Sequence, residues 1–311
     1  MSKRSITVVG SSNTDMVIKA DHLPGPGETI LGGIFFMNPG GKGANQAVAA
    51  ARLGGNIRFI CKTGNDIFGK QSLQLLKEEG IDTSYIISDL SLPSGVALIT
   101  VDKNAENCIV VASGANAALS PSDLLRAREM IVESSMILMQ LEIPLETVIY
   151  VAARAFEKNI PVILNPAPAC LLPDHLLSYV SILTPNRTEA EMLSGIRIHD
   201  IPSAKEAAQK IKGRGVKTII VTLGIQGALV LHNDIFTLVP AYPVTAVDTT
   251  AAGDTFNGAL VVALSEGKDV LQATAYACKA SAISVTRIGA QASIPYKREV
   301  DGFFVQDKST V

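Results

Sequence analysis

Met136-Ile137-Leu138-Met139-Gln140-Leu141-Glu142, a helical stretch over Leu145–Lys158, and then Val162-Ile163-Leu164-Asn165 form the passage on which the fold turns. Both apolar runs are nearly continuous rather than alternating, as strands buried on both faces require. A helix-length segment between two such strands is the crossover of a parallel βαβ unit. Outward from this passage the rhythm recurs, with Ile6–Val9, Ile182–Leu183 and Thr218–Val221 reading as strands and Ala44–Leu53, Phe68–Glu79 and Ala204–Lys212 as helices. Gly54 and Gly80 stand where a helix C-terminus favours a left-handed residue. The expectation is an α/β, three-layer α-β-α fold with a central, mostly parallel sheet. No internal repeat, low-complexity tract or long linker interrupts it, so residues 1–311 read as a single domain.

Two segments break the rhythm. Residues 16–38 are rich in Gly and Pro before the β-like Ile34-Phe35-Phe36-Met37, and residues 95–112 read as two strands about the turn Asp102-Lys103-Asn104-Ala105. Together they predict a small sheet, a lid formed by about 14–39 and 95–112. An ordinary edge hairpin fits the same residues.

Bulk properties exclude several functions. With 27 Lys+Arg against 29 Asp+Glu there is no basic field for a nucleic-acid backbone. Cys61, Cys108, Cys170 and Cys278 are too dispersed for a zinc site or disulfide framework. No apolar run is long enough to span a bilayer, and Met1-Ser2-Lys3-Arg4 leads straight into a strand without a signal-peptide core. A cytoplasmic protein is expected. His22, His175, His199 and His232 lie in unrelated contexts, without HExxH or a GxSxG elbow, so hydrolase chemistry is disfavoured.

Polar residues gather where the strands end. Ile6–Val9 runs into Gly10-Ser11-Ser12-Asn13-Thr14-Asp15, the 136–141 run ends at Glu142, Val162–Leu164 at Asn165, Ile182–Leu183 at Thr184-Pro185-Asn186 with Glu189 beyond, and Thr218–Val221 at Thr222-Leu223-Gly224. In open α/β sheets ligands bind beyond the carboxyl ends of the strands. Turn propensity explains any one of these cases, but less well all of them together.

Two glycine-rich segments carry the chemistry. Asn38-Pro39-Gly40-Gly41-Lys42-Gly43-Ala44-Asn45-Gln46-Ala47 opens an Ala-rich helix. It is neither a Walker A loop, lacking Ser or Thr after Gly-Lys, nor a Rossmann fingerprint, lacking the third glycine. Lys42 and Asn45 supply donors and an acceptor suited to a polyol. Asp248-Thr249-Thr250-Ala251-Ala252-Gly253-Asp254-Thr255-Phe256-Asn257-Gly258 opens a second helix, running to about Glu266. Small residues at 251–253 leave amides bare at the positive helix end, a place for negative charge that develops during reaction. Asp254 lies in the first turn beside it. A capping Asp would account for Asp254 alone, not for the bare Ala-Ala-Gly or for Asp248. Phosphoryl transfer needs mainly positioning, charge neutralisation and a base for the hydroxyl proton, and these residues supply that set.

At this point the sequence resembles the ribokinase-like family of sugar kinases over roughly residues 5–300. Its two signatures match at Gly40–Ala47 and Asp248–Leu260, and Thr184–Glu189, Thr222–Gly227 and Thr286–Gln291 fit in the family's order. The resemblance implies an ATP-dependent enzyme phosphorylating D-ribose at O5. Asn13, Asp15, Gly41, Lys42, Asn45 and Glu142 would hold the sugar, Asp254 would take the proton, and the Ala251, Ala252 and Gly253 amides would form the anion hole. ATP would contact Asn186, Thr222, Gly224, Gly227, Gly253 and Cys278, with Mg²⁺ near Asn186 and Glu189. Oxygens of Asp248, Thr250, Ser284, Arg287, Gly289 and Ser293 would bind K⁺, a monovalent activator that sets the 248–254 loop. The lid would also make a homodimer contact. Cys278 departs from the His or Asn that relatives often place against the adenine.

Alternatives are a kinase of another small sugar or a nucleoside, fructokinase-like or acting on a deoxy-sugar, and a non-catalytic sugar or nucleotide sensor of the same fold. Asn13, Asp15 and Glu142 favour a compact neutral polyol, since Arg52 and Arg58 are not evidently placed for an anionic substrate. The missing GxGxxG disfavours an NAD-dependent oxidoreductase.

Overall fold

The apolar runs pair side by side into one eight-stranded sheet. In spatial order Asn56–Ile60, Ser5–Val9, Met136–Met139, Val162–Leu164, Ile182–Leu183 and Thr218–Thr222 are all parallel, and Ala228–His232 and Ile235–Val239 close one edge as an antiparallel hairpin. The computed structural model that shows this describes residues 4–104 and 106–303. Met1–Lys3 of the N-terminal reading, and Ala105 of the predicted turn, lie outside the described residues. Among those described, no helix is long and apolar enough to cross a membrane.

Buried strands alternate their side chains between two cores, as the pleat dictates. Ile137 and Met139 pack on the side of helix Leu145–Glu157, while Met136 and Leu138 pack with the Lys42–Arg52, Ala252–Ser265 and Val270–Ser284 helices on the other. The three layers expected from the sequence are thus observed.

Helix boundaries differ from expectation by a few residues, and capping chemistry explains the clearest case. The helix expected from Ala204 begins at Ile201, because Asp200 accepts Ser203 N at 2.8 Å and Pro202 suits the first turn. Strands Asn13–Lys19 and Asn56–Ile60 carry mixed polar and apolar residues and escape the search for continuous apolar runs, while the 228–239 hairpin, apolar over Ala228–Leu231, is simply not among the strands expected.

The two arrhythmic segments do form their own sheet. Ile34–Gly40, Asn13–Lys19, Gly95–Val101 and Asn107–Ala112 lie in that order, separate from the main sheet, so the edge-hairpin alternative is excluded. Its Asp15 face also carries Asn38 and Ala97, while the opposite face exposes Ile18, Phe35, Met37, Leu98 and Val110.

Sheet order also locates the crevice. From Ser5–Val9 the chain crosses to Asn56–Ile60 on one side, then returns to place Met136–Met139 on the other. The helices that follow those two strand positions lie on opposite faces, so a gap opens between their carboxyl ends, which is where such sheets bind ligands.

Candidate active site

Residues 10–15 and Glu142 flank this gap. Ser11 Oγ donates to Glu142 Oε2 at 2.5 Å, and Lys42 N donates to the same oxygen at 2.9 Å, tying both strand ends to the start of the first signature helix. That start depends on Gly41. Its φ of 88° is left-handed, and a Cβ there would lie 2.7 Å from Asn13 N. The second signature helix, Ala252–Ser265, approaches the first at Gly258, where a Cβ would come within 2.5 Å of Ala49 Cβ. Helices this close bring the side chains at their N-termini into contact. Asn45 Nδ2 donates to Asp254 Oδ2 at 3.0 Å, and Gln46 Nε2 to Asp254 Oδ1 at 2.9 Å.

The residues expected to hold the sugar interact by charge. Burial, with Glu142 and Asp254 adding to it against Lys42, raises the Asp15 carboxyl to about 6. Burial pulls the Lys42 ammonium down, but Asp254, Glu142, Glu189 and Asp15 outweigh it and hold it above its usual value. Asp15, Lys42, Glu142 and Asp254 thus lie close enough to act on one another's charge. Asn45 Oδ1 is a buried acceptor without a partner in the structure, as a hydroxyl-bearing ligand would require. Asn13 Oδ1 accepts Asn116 Nδ2 at 2.8 Å, a contact that ties the return from the small sheet to this pocket.

On the other side of Asp254 lies a groove of about 510 Å³. Thr222, Gly224, Gly227, Gly253 and Cys278 of the expected nucleotide set line it, among apolar neighbours such as Phe256 and Val285. Burial pushes the Cys278 thiol up to about 12, so it lies in the groove as a neutral group. Asn186 is not among the lining residues. It caps helix Arg187–Ser194 and is bridged to Thr222.

The three expected anion-hole amides are not equivalent. Ala251 adopts φ 58°, and the turn this creates lets Ala252 N donate to Thr249 O at 3.2 Å. Gly253 is exposed, and a Cβ built on it meets nothing within 4 Å. The Ala252 amide is thus partly engaged, while Gly253 stands open to the groove.

Among the described residues no cluster of three acidic, His or Cys side chains could chelate a metal. Glu189, the acid expected near Mg²⁺, offers carboxylate oxygen, the donor type that ion takes. Burial raises its carboxyl to about 7, with the Asn186 N–H and Lys42 opposing and Asp254 reinforcing. Both of its oxygens bond Asn186, through the backbone N at 2.8 Å and Nδ2 at 2.9 Å.

The expected K⁺ residues come from two segments that the structure joins. Asp248 accepts Thr250 N and Gly289 N, each at 2.8 Å. Ser293 and Ser284 turn their hydroxyls to Ala290 O and Ser281 O, and Ser284 O itself accepts Arg287 N at 3.0 Å. The Arg287 side chain pairs with Glu299 instead, at 2.6 Å. The donor set is all oxygen, which fits a hard monovalent cation.

Two strand-end residues behave differently from the expectation that they face ligand. Asn165 Nδ2 donates to Thr184 O at 3.2 Å, and Thr184 Oγ1 to Asn257 Oδ1 at 2.6 Å. They form a buried layer beneath the site. Sequence reasoning also passed over Gln46, Gln140, Ser11, Asn116 and Asn257. The available signal was a polar side chain at the end of an otherwise apolar strand or helix face, as at Gln140. Arg52 is occupied elsewhere, bonding Glu79 at 2.5 Å and the Gln291 and Ile294 carbonyls.

Comparison with known proteins gives this geometry a context. Residues 3–297 match the family model described as pfkB family carbohydrate kinase. A ribokinase of Haemophilus influenzae is 45% identical over 297 residues, covering 96% of this chain and 97% of its own. A deoxyribokinase of Salmonella typhimurium is 39% identical, covering 93% and 95%. The structure of Arabidopsis thaliana ribokinase complexed with ribose and ATP superposes with a TM-score of 0.89 at 32% identity, covering 96% and 98%. On the match across nearly its whole length, the chain belongs to the pfkB family of carbohydrate kinases.

Proposed function

We propose that this carbohydrate kinase transfers the γ-phosphoryl group of ATP to O5 of D-ribose, with Asp254 as the base. One observation carries the reading. The Asp254 carboxylate touches the polyol-type pocket through Asn45, while its chain neighbour Gly253 lines the apolar groove. A hydroxyl in the pocket and a terminal phosphate at the helix end would meet at that residue.

The roles follow from the chemistry of each group. Asn13, Asp15, Lys42, Asn45 and Glu142 would bind sugar hydroxyls and, with Gly41, exclude water. Asp254 would accept the O5 proton as the bond to phosphorus forms. Ala251, Ala252 and Gly253 would present amides to the phosphoryl oxygens, with Gly253 the most open. Thr222, Gly224, Gly227 and Cys278 would hold the nucleotide base and ribose. Glu189 and Asn186 would hold Mg²⁺ through water, and the ion when bound neutralises phosphoryl charge. Asp248, Thr250, Ser284, Arg287, Gly289 and Ser293 would hold K⁺ by their oxygens, with Arg287 contributing only its carbonyl. Residues 1–311 would act as one unit. The four-stranded sheet would close over the sugar, and its exposed face at Ile18, Phe35, Met37, Leu98 and Val110 supports a homodimer, since patches of this kind mark interfaces.

A coupled ATPase screen of ribose, deoxyribose, fructose and nucleosides, each with and without K⁺, tests the substrate. The highest kcat/KM is expected with ribose, increased by K⁺. Equal or better turnover of deoxyribose, fructose or a nucleoside would overturn the substrate assignment.

A further inference from the structure

Asp254 as a carboxylate can only accept hydrogen bonds, and this orients a chain of buried amides around it. Gln46 Nε2 donates both to Asp254 Oδ1 at 2.9 Å and to Asn165 Oδ1 at 3.0 Å. The Gln46 amide oxygen therefore faces the other way, where Gln140 Nε2 donates to it at 2.6 Å. Asn165, its oxygen committed to Gln46, donates onward to Thr184 O. Gln46 and Gln140 are fully buried at 0% exposure. Gln140 and Asn165 stand at the ends of neighbouring strands, so the chain of amides is anchored in the sheet itself.

The torsion that turns an Asp carboxylate about its Cβ–Cγ bond is soft, and a single donor would leave it loose. Here the first signature helix contributes two donors, Asn45 on Oδ2 and Gln46 on Oδ1. Each oxygen is pinned, and the plane of the carboxylate with it. We infer that Gln46 is a positioning residue for phosphoryl transfer: it fixes the Asp254 carboxylate toward the acceptor hydroxyl, and Gln140 and Asn165 fix Gln46 in turn. The inference rests on Asp254 being the base.

Gln46→Glu keeps the shape but replaces the donor with a second acceptor, and Gln46→Leu removes the polar group. In both, kcat falls about 10- to 100-fold, since small misplacements of a reacting group cost that much. KM for sugar and for ATP, and sugar affinity by calorimetry, stay within about threefold of wild type. In an Asp254→Asn background Gln46→Leu adds no further loss, because a positioning residue has nothing left to position. A merely structural Gln46 predicts otherwise, with unchanged kcat per folded molecule or a loss that adds to that of Asp254→Asn. Either result overturns the inference. Should Gln46→Leu not fold, the isosteric Gln46→Glu carries the same comparison. Full turnover by Asp254→Asn itself would sink the base assignment instead. An inactive Asp254→Asn beside a normal Gln46→Glu would sink only the role of Gln46.

Discussion

The two ends of the site are built on opposite plans. At the end proposed for the sugar, polar and charged side chains dominate: Asp15, Glu142 and Asp254 come from separate segments, Lys42 and Asn45 from one helix, and all are linked by hydrogen bonds or charge. At the end proposed for the nucleotide the groove is lined largely by backbone, small residues and apolar surface, including Ile225, which is 97% exposed. The difference reflects where the chemistry is. The acceptor hydroxyl must be oriented to a fraction of an ångström and stripped of water. The nucleotide base needs only a shelf of the right shape, on which a neutral Cys278 is tolerable.

The largest effect should come from removing the group on the boundary. Asp254→Ala is expected to lose about 10²–10⁴-fold in kcat while still binding ribose by calorimetry, the range for loss of a general base. Retained turnover would show that the two ends do not meet there. Gly253→Ala probes the nucleotide end with a single methyl. A Cβ at Gly253 meets nothing in the structure, and Ala favours a helix over Gly, so thermal stability should hold or rise slightly. Turnover should nevertheless fall about tenfold, because the methyl takes space meant for phosphoryl oxygens. Unchanged kinetics would remove Gly253 from the anion hole.

Much of this was legible in the sequence, for a physical reason. Continuous apolar strands and crossover helices are local patterns, so the main sheet and its three layers follow from the 136–165 passage and its repeats. Both signatures are runs of adjacent residues, so Lys42, Asn45 and Asp254 stand out too. The small sheet was foreseeable as a departure from rhythm, though not its four-strand pairing, which joins residues some 80 positions apart in Asn13–Lys19 and Gly95–Val101. The buried amide layer left only a faint trace, a polar residue such as Gln140 closing an apolar strand. Gln46, Gln140, Asn165 and Thr184 acquire meaning only by pairing across elements, and in sequence they read as ordinary strand or helix ends. Turn propensity and ligand binding were weighed for Asn165 and Thr184, and neither describes what they do.

The smallest predicted effect concerns the charge held between the two ends. Asp15 and Glu189 both feel the Asp254 charge and are raised to about 6 and about 7 from ordinary values of 3.8 and 4.5, mainly by burial. Between those limits the folded protein binds more protons than the unfolded chain, so stability must fall as pH rises. The contribution is complete below about pH 4 and is lost through about pH 7. Carboxylates such as Asp66, Asp123 and Asp248 are shifted the opposite way, and their contribution changes below that window. Without ligands the Tm should drop by a few degrees from about pH 5 to about pH 8. Glu189→Gln keeps a side chain able to close the helix cap at Asn186 and should flatten the slope. If Glu189 holds Mg²⁺ as proposed, Mg·ATP favours its charged form, and stabilisation by Mg·ATP should be greater at the upper pH. A ligand-free Tm that is level or rising across this range, or a slope that Glu189→Gln leaves intact, would show that the two ends do not share this buried charge.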